Sequence, residues 1–584
     1  MVGTLPGNDS SSVFLNGLAV KSLQDINEPS LDPRASLSSR PDAEVLDITL
    51  AEQLGDLVRP HLPNAEKSLP FDGILYVDFE EGDIRNPACF PRPKKWAITL
   101  LACFSTLIAS SAAAAYNLGF TSMTKDLNCT NFQATVGFIV YTLGFGLVPL
   151  VSSSFSEEFG RQPLYIGSAV GFTLMYLLIA LSKNIQSVVI ARFLQGSFGS
   201  TWATMYVYFF VLEPRPHTRY FTGYVNKTVH DTFFTLPRPL DASRVRANPV
   251  FIFLQLTAGV SRRGLPMAIF SVAALSGSGL GPLAAGWIEM NHRLQWRWIQ
   301  WIQMIICGVY SLAVPFVMKE TRSSILLMRL AKNLRKETGN PRYRAIIEDQ
   351  RASLTSLIFI SCTRPIHLLL TEPVVSAFSL WIGFLWGVMF SMIESIPGLF
   401  QDLHHFNVGQ EGSVFASMAV GTVLGFVLNF YQEHLYHKHF DRRGPEARLI
   451  SACAAAIMLP ISMFIYAWCS FPYIPWISLV IAIAIYICAT FIVYLSVFSY
   501  LADCYGPFAS SALAGQSLCR NMMATIFPLF TKQMFAALGY NWANMMFALI
   551  AAVMVPIPFV LFFYGPAIRS RSRFSRIVME QQQN

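Results

Sequence analysis

Residues 185–205 read IQSVVIARFLQGSFGSTWATM, and what this stretch does decides what the chain is. It is about one bilayer-crossing length of helix. Arg192 stands near its middle, where an arginine costs about 2.5–3.5 kcal/mol to insert. Ile185, Val188, Val189, Ile190, Phe193, Leu194 and Phe198 return ~0.3–0.6 kcal/mol each, roughly 2–4 kcal/mol together. The two sums nearly cancel, so the helix is marginal unless Arg192 faces protein or water. Its other half is small: Gly196, Gly199 and Ser200 let a second helix approach closely. The stretch therefore predicts a helix inside a bundle, carrying a charge that has a function.

Working outward, the composition agrees. The 584 residues are 53% hydrophobic and only 13% charged, about half the charge of a soluble domain. The net charge of +8 does not point to nucleic acid, because the basic residues cluster between apolar runs, where they set topology. The ten cysteines are scattered through apolar stretches with no CxxC pair, as buried small hydrophobes are. No GxxxxGK[ST] loop is present, so active transport has to draw on a gradient. No cofactor and no metal is expected; His434, His437 and His439 have no neighbours that would fix a metal geometry.

Residues 1–95 are polar and rich in Ser, Asp and Pro, and read as a disordered cytosolic tail without a signal peptide. Twelve spans follow, at about 96–119, 133–154, 164–182, 185–205, 265–288, 297–317, 374–398, 412–431, 450–470, 476–500, 507–530 and 543–564. Residues 96–317 form one six-helix half and 366–565 the other, with a cytosolic linker at 318–365 and a basic tail at 566–584. Between spans 4 and 5, residues 206–262 lose all helical period, and the pattern returns abruptly at Arg263. This stretch reads as an anomalous insertion, translated from an intron in the gene model; sequencing of the transcript decides it.

Several motifs carry a resemblance. ARFLQGSFGS (191–200) resembles the fourth-span motif of the major facilitator superfamily, and within it the fungal drug:proton antiporters. FSEEFGRQPLY (155–165) is similar to that superfamily's loop between spans 2 and 3: Glu157, Gly160 and Arg161 fall on its acid, glycine and first basic position, while Gln162 replaces the second basic one. GSGLGPLAAG (277–286) resembles the antiporter motif of span 5, with Gly277 and Gly281 on one face and Pro282 placed to kink the helix against span 4 or 8. PEARL (445–449) and the span 11 stretch 507–530 are similar to the same group.

The resemblance implies an all-α membrane protein, two six-helix bundles around a central cavity lined by spans 1, 4, 7 and 10. It implies proton-coupled efflux of a small organic compound such as a drug, polyamine or secondary metabolite. Arg192 is then the fixed charge that answers to a protonatable acid, Glu394. Tyr116, Asn117, Gln195, Tyr494, Phe498, Arg520 and Asn521 are assigned to the substrate cavity. Glu157, Gly160, Arg161, Gly277, Gly281 and Pro282 are assigned to gating. The expected partners are a small-molecule substrate, protons and membrane lipid, with the protein a monomer. Lys and Arg counts put both termini in the cytosol, with Lys125, Lys183, Arg293, Arg297 and Lys532 in outer loops, and Asn128 outside as a glycosylation acceptor. The plasma membrane is the expected location. A facilitative or importing transporter of the same fold, or a non-transporting sensor, stays open. Catalysis would need a cluster of His or acids at one membrane face, and only HLYHKHF comes near.

Overall fold

A computed structural model describes residues 75–79, 83, 85–211, 264–349, 353–572, 574–576 and 578–579. All of them fall in one compact unit, Pro63–Asn584. Residues 1–74 and 212–263 lie outside the described set, and with them most of the tail and of the insertion. At the tail's end, Leu75–Tyr76 pairs in parallel with Tyr343–Arg344 of the linker. The span 4 helix is Ile185–Val211, so it runs six residues into the stretch that the sequence marks as anomalous.

Among the described residues, ten helical runs are long and apolar enough to cross a membrane, counting Leu354–Thr371 and not the span 4 helix. Two of these, Val408–Trp468 with 61 residues and Ala509–Arg571 with 63, are each long enough to cross twice. The first turns at Gly444–Arg448. The second turns at Gly539, whose φ of 77° ends one helix before the next begins. Spans 1, 2, 3, 5 and 6 are Arg92–Ala115, Asn131–Phe159, Arg161–Leu181, Gly264–Met290 and Gln295–Val317. Span 1 continues through a 3-10 turn, Tyr116–Gly119, into Phe120–Asp126. Spans 7, 8, 9 and 10 are Pro373–His404, Ala416–Arg443, Leu449–Trp468 and Ile477–Tyr505. Ala509–Met554 holds span 11 and the start of span 12, which ends in Pro556–Arg571. We call the face bearing Arg92, Lys319, Arg443 and Arg571 the basic face, and its opposite the far face.

Packing repeats with a period of six spans. Span 1 lies against 5, 2 against 4, 3 against 4 and 6; correspondingly 7 lies against 11, 8 against 10, 9 against 10 and 12. The halves meet where span 2 touches 11 and span 5 touches 8, two contacts that the same repeat exchanges. The span 5 glycines make this possible. A side chain on Gly277 would run into Leu107 O, and one on Gly281 into Ser111 O, both on span 1. In the same way Gly279 meets Phe415, and Gly286 meets Val408 and Gly412, in the short helix Val408–Val414 and the turn that lead into span 8. The helix with Pro282 is thus wedged between spans 1 and 8.

Three stretches differ from the expected boundaries. Residues 432–443, read as loop, continue the span 8 helix, so His434, His437 and His439 lie on a helix. Leu354–Thr371, with its first twelve residues read as linker, is an apolar helix that packs on spans 2 and 11. Lys532, read as an outer-loop residue, is inside span 11. In each case the helix runs on through polar residues that hydropathy assigns to a loop, or apolar ones that topology assigns to a linker.

Candidate functional site

A cavity sits between the halves, with about 1160 Å³ of empty space including its mouth. It reaches Ser510, the second residue of span 11 at the basic face, and extends inward to Ala113, Tyr141 and Trp386. Of the residues assigned to it from sequence, Tyr494, Phe498, Arg520 and Asn521 line it. Arg520 donates from Nη1 to Tyr494 Oη at 3.1 Å and from Nη2 to Ser517 Oγ at 3.3 Å. Its guanidinium lies 4.9 Å from the Trp386 ring centre and 5.5 Å from that of Tyr494. Tyr116, Asn117 and Gln195 are placed elsewhere, in the plug that separates the cavity from the far face.

Arg192 is at the centre of that plug, fully buried. Its guanidinium is held between two rings, 4.3 Å from Tyr116 and 4.4 Å from Tyr141. Nη1 donates to Ala112 O at 3.1 Å and to Gln195 Oε1 at 2.8 Å, and Nε makes a long bond to Gly137 O at 3.4 Å. Two desolvated cation–π contacts at roughly 2 kcal/mol each are enough to offset an insertion penalty near 3 kcal/mol. No carboxylate among the described residues pairs with it. Tyr141 has two roles: one face covers Arg192 while the residue also lines the cavity, and its hydroxyl donates to Ala109 O at 2.8 Å.

Glu394 lies in the same plug, on span 7. It is buried, and its partner is Lys532 of span 11, Nζ to Oε1 at 3.6 Å. Thr135 of span 2 donates to the same oxygen at 3.2 Å, and Lys532 donates to Thr135 Oγ1 at 3.3 Å. One residue away, Asn117 of span 1 donates to Ile393 O at 2.7 Å. These bonds tie the two halves together toward the far face. Arg192 and Glu394 are thereby linked through shared neighbours: Tyr116 and Asn117 are adjacent on span 1, and Gly137 and Thr135 are two residues apart on span 2. Lys532 was not legible as a site residue, because a lysine near the end of an apolar run looks like a topology signal.

At the basic face, the residues assigned to gating hold helix ends. Gly160 takes φ 93°, turning the chain between spans 2 and 3, and a side chain there would strike the Glu320 carboxylate. Glu320 accepts from the backbone N–H of Arg161 and Gln162, both at 3.2 Å, at the positive end of the span 3 helix. Glu157 pairs with Arg322 at 3.6 Å. Gln162, the departure from the motif, donates to Met318 O at 3.0 Å. The second half has its own cluster: Arg448 lies between Asp503 at 2.6 Å and Glu433 at 3.5 Å, with its guanidinium 3.8 Å from the Tyr436 ring. Arg569 donates to Glu446 at 2.9 Å. Glu446 and Arg448 belong to PEARL, whereas Glu320, Glu433, Asp503 and Arg569 had no signal beyond a charge near a span end. Asn128 is exposed in the far-face loop between spans 1 and 2.

Known proteins fit this arrangement. The Major Facilitator Superfamily model matches residues 102–226 and 249–515, and the break between them falls inside the anomalous stretch. The chain is 31% identical over 526 residues to the multidrug transporter FLR2 of Candida glabrata, covering 88% of this chain and 81% of that one. It is 29% identical to the multidrug transporter mdrA of Aspergillus fumigatus, over 85% of this chain and 76% of the other. It is 28% identical to the efflux pump FUBT of Fusarium oxysporum, over 85% and 77%. With well over half its length matched and its spans packed in two repeating halves, the chain belongs to the major facilitator superfamily and is a multi-pass membrane transporter rather than an enzyme.

Proposed function

We propose that this transporter exports a small organic compound from the cell, driven by protons that enter through Glu394. The observation that carries this reading is the Glu394–Lys532 pair, which joins the halves on the far side of the cavity. In this reading the basic face is cytosolic and the far face, with Asn128, is outside, at the plasma membrane. The relatives' names, efflux pump and multidrug transporter, support export as the direction.

An ammonium and a proton compete for the same carboxylate oxygen. When the far side opens, Lys532 on span 11 moves away from Glu394 on span 7, and the exposed carboxylate takes a proton from outside. Closure brings the ammonium back to Oε1, the proton leaves, and it passes inward. Substrate in the cavity then favours reopening: Tyr141 lines the cavity and covers Arg192, and Arg192 grips spans 1 and 2 beside the residues that hold Glu394. The coupling is carried by packed groups with two arrangements.

Glu394→Gln tests this. The amide keeps the shape and a hydrogen bond to Thr135 but no longer exchanges a proton. In vesicles with an imposed pH gradient, the variant is expected to lose gradient-driven transport at least tenfold while still exchanging labelled for unlabelled substrate at equilibrium. Undiminished gradient-driven transport by Glu394→Gln contradicts the assignment. Insensitivity of the wild type to a proton uncoupler would favour facilitated diffusion instead.

A further inference from the structure

Among the described residues that line the cavity, one is charged and none carries the opposite charge. Among the described residues that line it, Arg520 is the only ionisable group other than tyrosines; there is no aspartate or glutamate. The other deeply placed arginines of the second half have carboxylates, Arg448 with Asp503 and Glu433, Arg569 with Glu446. Arg520 makes bonds only to hydroxyls, and its Nε has no hydrogen-bond partner. One turn earlier on the same helix face, Gln516 also lines the cavity and its Nε2 is buried without a partner. A half-buried cation with no carboxylate partner, next to an amide donor without one, favours an acceptor-rich anion. Around it the walls are aromatic and apolar: Trp386, Phe390, Tyr141 and Phe145.

On this basis, we propose that the cavity takes aromatic organic anions, monocarboxylates in particular, and excludes polyamines and other cations. The inference rests on the reading of this cavity as the transport site. The carboxylate meets the Arg520 guanidinium beside Gln516, both in the cavity wall, while the ring body lies among the aromatic side chains. A polyamine would have to bury its charges beside a guanidinium with no acid to meet them, so it is rejected by repulsion as well as by the absence of a partner. Exporting an anion while a proton enters moves charge in one electrical direction, so the membrane potential drives the cycle along with the pH gradient.

The test is binding of a matched pair to the purified full-length protein in lipid nanodiscs, at constant pH and without a gradient. 2-Naphthoate and 2-naphthylmethylammonium share a ring body and differ in charge. The wild type is expected to bind the naphthoate and to bind the ammonium at least tenfold more weakly. Arg520→Gln is expected to weaken naphthoate binding by roughly tenfold or more; Arg520→Lys, which keeps the charge, is expected to recover part of it. Equal or tighter binding of the ammonium by the wild type, or no binding of naphthoate, overturns the proposal without reference to any variant. Unchanged naphthoate affinity in Arg520→Gln overturns it too. Glu394→Gln removes the exchangeable proton but no group of the cavity lining, so it is expected still to prefer the naphthoate to the ammonium at least tenfold; a failure of proton coupling and a failure of the substrate class therefore give different results.

Discussion

Arg192 is a permanent charge held by rings and carbonyls, and that geometry separates a coupling role from mere helix adhesion. A planar guanidinium can present both faces to Tyr116 and Tyr141 while its edges reach Ala112 O, Gly137 O and Gln195; a lysine ammonium has no faces to present. Arg192→Lys is therefore expected to reach the membrane at near-normal levels and lose gradient-driven export at least tenfold. Arg192→Leu should insert more readily still, since a charge costing about 2.5–3.5 kcal/mol is gone, and be equally inactive. Flux into vesicles under a pH gradient, normalised to surface protein, measures both; full activity of the leucine variant would make Arg192 structural only. Arg192 and Glu394 were legible because a charge within an apolar run has no bland use. What they touch was not. Nothing in the spacing shows that Glu394 meets a lysine of span 11, or that Tyr116, Asn117 and Gln195 serve the plug rather than the cavity, because those contacts cross more than one helix.

At the scale of single helices, the span 5 glycines give the sharpest expectation. Any side chain on Gly281 meets the backbone of span 1 at Ser111, where nothing can yield cheaply, whereas one on Gly308 of span 6 meets nothing within 4 Å. Gly281→Val is expected to destabilise the protein by about 1–3 kcal/mol or to stop it reaching the surface. Gly308→Ala should leave thermal stability and surface level unchanged. A thermal-shift assay on both variants in detergent checks this, and equal melting temperatures would contradict the packing. Hydropathy located the span cores, since each holds an apolar run of bilayer length. It missed the helical ends, as at 432–443, because a helix leaving the membrane keeps its backbone hydrogen bonds after its side chains turn polar. The motif positions 157, 160 and 161 were legible, but the acid that caps span 3, Glu320, comes from across the half and has no local signature.

For the whole molecule, the six-span repeat puts the plug and the cavity on the line between the halves, where a rocking motion is felt most. Most of the anomalous stretch 206–262 is outside the described residues, and the reading of much of it as a translated intron stands as a proposal that sequencing of the transcript tests. The central claim is that the proton on Glu394 and the ammonium of Lys532 alternate with opening of the far side. By linkage, the open state is the one that holds the proton, so acid should favour opening. The direct measurement is the distance between spin labels at Lys125→Cys and Gln401→Cys, one on each half at the far face, in a background without the native cysteines. As pH falls, the wild type is expected to move population from a short to a long distance. In Glu394→Gln the long distance should be populated at every pH. A wild-type distance distribution that does not change with pH, or an unchanged pH response in Glu394→Gln, would contradict the account.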